Sequence, residues 1–242
     1  MPAIDLNCDL GEGAGHDSEL MPLITSANIA CGGHAGDETT MRATVALAQR
    51  HGVAVGAHPG FCDRANFGRK ELALPAEAVR QLVADQIAAL ARFGPLRHVK
   101  PHGALYNLAA RDRATAEAVA EAVAGAGQLT LFALAGSELA RAGRRRGLRV
   151  AEEVFADRAY ERDGSLTPRS RADALIKSEE AAVAQVLRMV RESVVRARDG
   201  TDVPIVADTV CLHGDGPDPV AFARRLRHDL VAAGVEFKVF GA

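Results

Sequence analysis

The chain has 242 residues, of which 48% are hydrophobic and 25% are charged, and its formal net charge is −2. This balance, with 4% aromatic residues and no tryptophan, does not favour a protein that binds nucleic acid or a membrane surface. No stretch approaches the ~20 apolar residues of a membrane span, and acids stand where a signal peptide has a basic patch. We therefore expect a cytoplasmic protein without membrane or nucleic-acid partners. Its four cysteines have no C-x-x-C spacing and are expected to be reduced.

Short apolar runs alternate with longer helical patterns along the chain. In chain order, the predicted strands are 3–8, 26–31, 53–57, 98–101, 129–133, 150–155 and 205–212, while the run 235–240 is either a strand or a tail. The predicted helices are 38–50, 76–93, 114–123, 137–146, 179–198 and 219–233, with apolar residues at helical spacing such as Val79, Leu82 and Val83.

This alternation predicts an α/β fold in which parallel strands are joined by right-handed crossovers. Seven strands fit either an open doubly wound sheet or a closed barrel. We expect one domain over residues 1–242, because no low-complexity linker or internal repeat interrupts the pattern. The polar segment 156–177 does not fit the alternation, and a loop of this length is usually functional or mobile.

Polar residues collect at the predicted carboxyl ends of the strands, where parallel α/β folds place their sites. One such residue alone has an ordinary explanation as a helix cap or turn residue. Here five of the seven strand exits carry His, Asp, Glu or Lys beside Gly or Pro, and this repetition predicts a site. The candidate residues are Asn7, Asp9, Glu12, Asn28, His34, His58, Lys100, His102, Asn107, Asp157, Arg158, Asp208 and His213.

Two subsets of these residues suggest particular chemistry. An unpaired Lys100 inside a sheet would be costly, so we expect it at the site mouth, beside an acid, a phosphate or a developing oxyanion. Asp9, His34 and His58 come from three neighbouring strand exits and could hold a divalent metal ion, although their spacing matches no local metal motif. The chain has neither a P-loop nor a G-x-G-x-x-G turn, so a nucleotide would be held differently or by another chain.

At these residues the sequence resembles the lactam-utilisation (LamB/YcsF) family, the family of the 5-oxoprolinase A subunit. The matching motifs run in order from about residue 4 to about residue 230 and are "IDLNCDLGEG", "SANIACGGHAGD", "GAHPG", "FGRKE", "HVKPHGALYN", "FADRAYERDGSL" and "ADTVCLHGD". One departure is Gly33, where the family usually has phenylalanine.

The resemblance implies a seven-stranded parallel (β/α) barrel, similar to that of the glycoside hydrolase and deacetylase superfamily. It also implies opening of 5-oxo-L-proline to L-glutamate coupled to ATP hydrolysis, by this chain together with 5-oxoprolinase subunits B and C. ATP would be the cofactor, with a divalent metal either as Mg²⁺ on the nucleotide or as an ion bound in the site.

In this interpretation Asp9, helped by His34 or His58, activates water or binds a metal. Lys100 and His102 stabilise phosphate or an oxyanion, and Arg158 clamps the substrate carboxylate. The remaining candidates bind or orient the substrate: Asn7, Glu12, Asn28, Asn107, Asp157, Asp208 and His213. Two alternatives stay open, namely a metal-dependent amide hydrolase that acts alone and a chain that only docks or regulates other subunits.

Overall fold

Seven parallel strands close into a barrel in the computed structural model, which describes residues 2–212 and 218–241. The strands in chain order are β1 (Ala3–Leu10), β2 (Ser26–Ala30), β3 (Ala54–His58), β4 (His98–Val99), β5 (Thr130–Leu134), β6 (Arg149–Phe155), β7 (Val194–Arg196), β8 (Asp202–Pro204), β9 (Thr209–Leu212) and β10 (Glu236–Phe237). Strands β1 to β6 pair in parallel in that order, and β9 pairs with both β6 and β1, which closes the ring. The predicted seven-stranded parallel barrel is therefore confirmed. The short strand β10 pairs with the start of β1.

Eight α-helices are present among the described residues. They are α1 (Asp17–Leu20), α2 (Glu38–His51), α3 (Ala76–Ala91), α4 (Gly103–Arg111), α5 (Arg113–Gly125), α6 (Glu138–Arg145), α7 (Glu179–Glu192) and α8 (Pro219–Ala232). Helix α2 shows how the sequence sets such boundaries. The Asp37 side chain accepts a hydrogen bond from the Thr40 backbone N–H, and Gly52 ends the helix in the left-handed conformation. None of the helices described here has the length and apolar character that a membrane crossing needs.

Three of the described helices differ from the predictions, since α1 and α4 were not predicted and α7 is shorter than predicted. Helix α4 was missed, since no helix was predicted between the strand 98–101 and the helix 114–123. The predicted helix 179–198 is too long, because α7 ends at Glu192 and the next residue, Ser193, has a left-handed φ of 56°. Beyond it, β7 pairs with β8 in an antiparallel hairpin.

The barrel separates an apolar layer from a polar interior. Along β1, Ile4 and Leu6 belong to the buried apolar cluster that includes residues of the surrounding helices. The alternate residues Asp5 and Asn7 are also buried, but they bond to polar side chains of other barrel strands. Because successive side chains of a strand point to opposite faces, this alternation fills the barrel with hydrogen-bonding groups up to its mouth.

Candidate active site at the mouth of the barrel

The carboxyl ends of β1 to β4 bring six of the predicted residues into one cluster. Its members are Asp9, Glu12, His34, His58, Lys100 and His102. All except His34 line a cavity of about 960 Å³, and His34 lies buried behind Glu12. This volume is at the upper end of the roughly 300–1,000 Å³ that is usual for ligand pockets, so the cavity can hold more than one small molecule.

Lys100 is buried, and its ammonium group is fully surrounded by acceptors. Its Nζ lies 2.9 Å from Asp9 Oδ1, 2.9 Å from Glu153 Oε1, 3.2 Å from Asn7 Oδ1 and 3.0 Å from Cys211 Sγ. Burial by itself lowers the pKa of Lys100, but Asp9, Cys211 and Glu153 raise it well above the ordinary value. Three N–H donors with four neighbouring acceptors leave none for a phosphate, which favours a positioning role for Lys100.

Asp9 is held in one orientation at the floor of the cavity. Its Oδ1 accepts hydrogen bonds from Lys100 and from Asn28 Nδ2, the latter at 2.8 Å. Its Oδ2 lies 3.3 Å from His58 Nε2. Asn28 is fixed in turn by His98, whose Nε2 lies 2.8 Å from Asn28 Oδ1. Burial lowers the pKa of His98 to about 3, so this histidine is a neutral donor and Asp9 sits on a rigid support.

Glu12 lies at the centre of three histidines. Its Oε1 is 2.9 Å from His34 Nε2, 3.3 Å from His102 Nδ1 and 3.7 Å from His58 Nε2. The rings of His34 and His102 stack in parallel with their centroids 3.6 Å apart. One ligand atom from each of these four residues lies within 4.8 Å of the others, as a metal site requires. This group contains Glu12 and His102 in addition to the predicted His34 and His58, and it does not contain the predicted Asp9.

Two glycines permit the close packing of His34. A Cβ atom on Gly60 would come 2.7 Å from His34 Nδ1, and one on Gly68 would come 2.7 Å from His34 Cβ. Gly68 also has a left-handed φ of 62°, which favours glycine. The glycines of "AHPGF" and "FGRKE" therefore leave the space in which the histidine cluster forms.

The cluster lowers the pKa of some of its members and raises the pKa of others. Burial raises the pKa of Glu12, but its close contacts with the rings of His102 and His34 outweigh this and lower it to about 2. Burial lowers the pKa of His34 to about 4. Burial also lowers the pKa of His58, but the Asp9 and Glu12 carboxylates raise it above the ordinary value. The Glu12 carboxylate is therefore ionised and attracts a cation.

The segment 156–177 forms a wall of the cavity. It is anchored by Tyr160, which is fully buried and whose hydroxyl accepts a hydrogen bond from the Phe155 backbone N–H at 2.8 Å. Arg158 lines the cavity and donates from Nη2 to the Thr167 carbonyl at 2.6 Å. Its Nε is buried and has no hydrogen-bond partner among the described residues. Asn107 is exposed on α4 and lines the same cavity.

Four predicted residues lie elsewhere or cannot be placed. Asn7 is inside the barrel below the mouth, and the described residues that line the cavity do not include Asp157. The prediction that Asp208 lies at the carboxyl end of the seventh strand is wrong, because β9 begins only at Thr209 and Asp208 precedes it. The Asp208 carboxylate instead accepts a hydrogen bond from a backbone N–H of β6 at 2.9 Å, near the amino end of β9. His213 lies outside the described residues.

Glu153 contacts the cluster but is not in the predicted set. It is fully buried on β6 and accepts hydrogen bonds from Tyr106 Oη at 2.6 Å and from Asn7 Nδ2 at 2.9 Å, besides its contact with Lys100. The sequence did contain an indication of this contact. A glutamate inside a predicted buried strand needs a cation as partner, and Lys100 lies in another predicted buried strand.

Comparison with known proteins identifies the family of this chain. The model of the LamB/YcsF family matches residues 4–242. The chain belongs to the LamB/YcsF family. A relative in Geobacillus kaustophilus (strain HTA426), the 5-oxoprolinase A subunit, is 56% identical over 245 residues, which cover 97% of this chain and 96% of the relative.

Solved structures agree with this assignment to the LamB/YcsF family. The crystal structure of a lactam utilization protein from Thermus thermophilus has a TM-score of 0.92 and 48% identity, and the match covers 98% of this chain and 100% of that one. A T48 deacetylase has a TM-score of 0.50 at 13% identity, covering 98% of this chain and 87% of that one. This second likeness concerns the barrel fold alone.

Proposed function

We propose that this chain is the A subunit of a 5-oxoprolinase and that, with subunits B and C, it opens 5-oxo-L-proline to L-glutamate at the expense of ATP. The observation that carries the proposal is the 56% identity, over nearly the full length of both chains, to a protein named as the 5-oxoprolinase A subunit. The cavity at the barrel mouth offers a site with the groups that this reaction needs.

The chemistry explains why ATP is required. A five-membered lactam is a resonance-stabilised amide with a poor leaving group. Transfer of the γ-phosphoryl group of ATP to the lactam oxygen, with release of ADP, makes the ring carbon electrophilic. Water then adds to that carbon and its proton passes to a base, and the ring C–N bond breaks with protonation of nitrogen, which leaves an acyl phosphate. A second water hydrolyses this acyl phosphate to the carboxylate of glutamate and phosphate. Such a site needs a base near the water, donors for negative charge and a clamp for the substrate carboxylate.

Asp9 is the best placed base for the attacking water. Its carboxylate borders the cavity, and Lys100 and Asn28 fix its Oδ1. A base held in one orientation can accept a proton without reorganisation when the substrate is bound. Lys100 then acts through Asp9 as a positioning residue, which replaces the expected direct contact between Lys100 and phosphate.

Arg158 is the best placed clamp for the substrate carboxylate. Arg158 lines the cavity, and its buried Nε has an unused donor. Burial and the neighbouring Arg169 lower the pKa of Arg158, so a bound carboxylate would relieve an unfavourable environment. His102 and Asn107 line the same cavity and can contact the ring or the transferred phosphoryl group.

The reconstituted complex tests the proposal. This chain, subunits B and C, 5-oxoproline and ATP are mixed, and glutamate and phosphate are measured together. We expect stoichiometric formation of both, and loss of both when this chain is omitted. Glutamate formation by subunits B and C without this chain would refute the catalytic assignment and favour a docking role.

An arginine variant tests the site itself. Arg158→Lys keeps the charge but loses the planar fork, and it should raise the KM for 5-oxoproline by roughly 10- to 100-fold, the equivalent of about 1.5–3 kcal/mol for a charged hydrogen bond. Arg113→Lys, at the exposed start of α5, is the matched control and should behave as the wild type. An unchanged KM in Arg158→Lys would remove Arg158 from the carboxylate site.

A second candidate is a metal-dependent amide hydrolase that acts alone. The cluster of Glu12 with three histidines favours it, because such groups bind divalent ions that activate water. Ring opening by this chain alone, without ATP and abolished by a chelator, would select this second candidate.

A further inference from the structure

Two histidines of the cluster have ring nitrogens committed to backbone carbonyls. His58 Nδ1 lies 2.7 Å from the Lys100 carbonyl oxygen, and His102 Nε2 lies 2.9 Å from the Phe67 carbonyl oxygen. A carbonyl oxygen only accepts hydrogen bonds, so both of these nitrogens carry a hydrogen. A neutral imidazole has a single N–H, and therefore His58 Nε2 and His102 Nδ1 each present a lone pair.

These two lone pairs point into the same small space. His58 Nε2 and His102 Nδ1 are 2.9 Å apart, and Glu12 Oε1 lies 3.3 Å from the second of them. Asp9 Oδ2 adds a further acceptor 3.3 Å from His58 Nε2. Four acceptors that face each other repel unless a cation lies among them. The cation is either one additional proton or a metal ion.

The charge of the surrounding groups favours a divalent ion over a proton. Asp9, Glu12 and Glu153 bring three carboxylates to the mouth, and Lys100 compensates one of them. A proton shared by His58 and His102 would leave a net charge of −1 in this buried place, whereas a divalent cation leaves none.

The second ring nitrogens of His58 and His102 make the hydrogen bonds that are usual for metal-binding histidines. Histidines that bind a metal usually donate their other N–H to a carbonyl or carboxylate, which fixes the tautomer and the ring orientation. His58 and His102 both do so. His34 differs, because its Nδ1 is buried without a partner among the described residues and its Nε2 lies 2.9 Å from Glu12 Oε1. His34 therefore suits the role of holding the Glu12 carboxylate.

We propose that this chain binds a divalent transition-metal ion of the zinc class through His58 Nε2, His102 Nδ1 and the Glu12 carboxylate. Mixed imidazole and carboxylate ligands suit such ions, and three protein ligands leave open positions towards the cavity. The proposal does not depend on the proposed function, since it concerns binding by this chain alone.

The test uses tag-free, metal-stripped protein titrated with Co²⁺, a spectroscopic substitute for Zn²⁺. We expect visible d–d absorption that saturates at one equivalent and disappears when Zn²⁺ is added. His102→Ala and Glu12→Gln should each lower the affinity for Co²⁺ by more than about 100-fold, beyond the roughly 10- to 100-fold effect of residues that only orient a ligand. His51→Ala, an exposed histidine at the end of α2, is the control and should bind as the wild type.

Two results would overturn the proposal. One is the absence of a Co²⁺ spectrum in wild-type protein whose thermal unfolding shows that it is folded, which would assign the space to a shared proton. The other is a spectrum that persists unchanged in folded Glu12→Gln and His102→Ala proteins. Neither result requires subunits B and C or a turnover assay, so failure here leaves the proposed function open to its own test.

Discussion

Replacement of Lys100 by methionine probes how the charges at the barrel mouth stabilise the fold. Methionine keeps most of the side-chain length but removes the ammonium group. Asp9 Oδ1 and Glu153 Oε1, each 2.9 Å from Nζ in the wild type, then lose their common cation. Glu153 is fully buried, so water cannot replace the lost interaction.

The expected effect is large. Removing one partner of a buried ion pair typically costs about 3–5 kcal/mol, because the other charge stays buried and unpaired. In a protein of this size each kcal/mol shifts Tm by about 2–4 °C, which predicts a fall of roughly 6–20 °C. If Lys100 served only to bind phosphate, its removal would relieve strain or leave Tm unchanged.

Thermal unfolding followed by circular dichroism measures this effect. Lys177→Met, an exposed lysine, is the matched control and should unfold at the wild-type Tm. The double variant Lys100→Met/Glu153→Gln should recover part of the loss, since it removes one of the two unpaired charges. A loss of 1 kcal/mol would lower Tm by at least about 2 °C. A Lys100→Met protein whose Tm lies within about 2 °C of the wild-type value would therefore refute the reasoning.

Two further substitutions test the local structure. Gly33→Ala should destabilise the fold by about 1–3 kcal/mol, because its Cβ would lie 2.8 Å from the Gly60 carbonyl oxygen; an unchanged urea midpoint would show that this loop can move. Asp112→Ala should cost about 0.5–2 kcal/mol by removing the cap of α5, where Asp112 accepts a hydrogen bond from the Thr115 N–H at 2.8 Å. Hydrogen bonds from Thr115 lower the pKa of Asp112 below its ordinary value of 3.8, so the contribution of the cap is present at neutral pH and is lost as the pH falls below that value. Urea unfolding of wild type and Asp112→Ala at several pH values should therefore converge in acid, and a constant difference would contradict this account.

The sequence predicted where the site lies better than it predicted the role of each residue in it. His34, His58 and His102 follow apolar strands, and the carboxyl ends of parallel strands meet at one edge. The exception is Asp208, which stands before β9 because that strand begins at Thr209 rather than at the predicted Ile205. The apolar residues from 205 onward resembled a strand, although only the last four residues of the predicted range, Thr209–Leu212, pair with the barrel.

The sequence by itself determined most of the barrel elements, because most of them have an apolar period and several have caps, as α2 has at Asp37 and Gly52. Only the tertiary structure decided what the polar residues do. Lys100 and Glu153 are far apart in the chain and meet inside the barrel, so that of the partners expected for Lys100 the structure shows acids, Asp9 and Glu153. The roles of the two nitrogens in each histidine also depend on carbonyls of distant segments, such as that of Phe67 beside His102. Such contacts arise from the closure of the sheet, and no local sequence pattern encodes them.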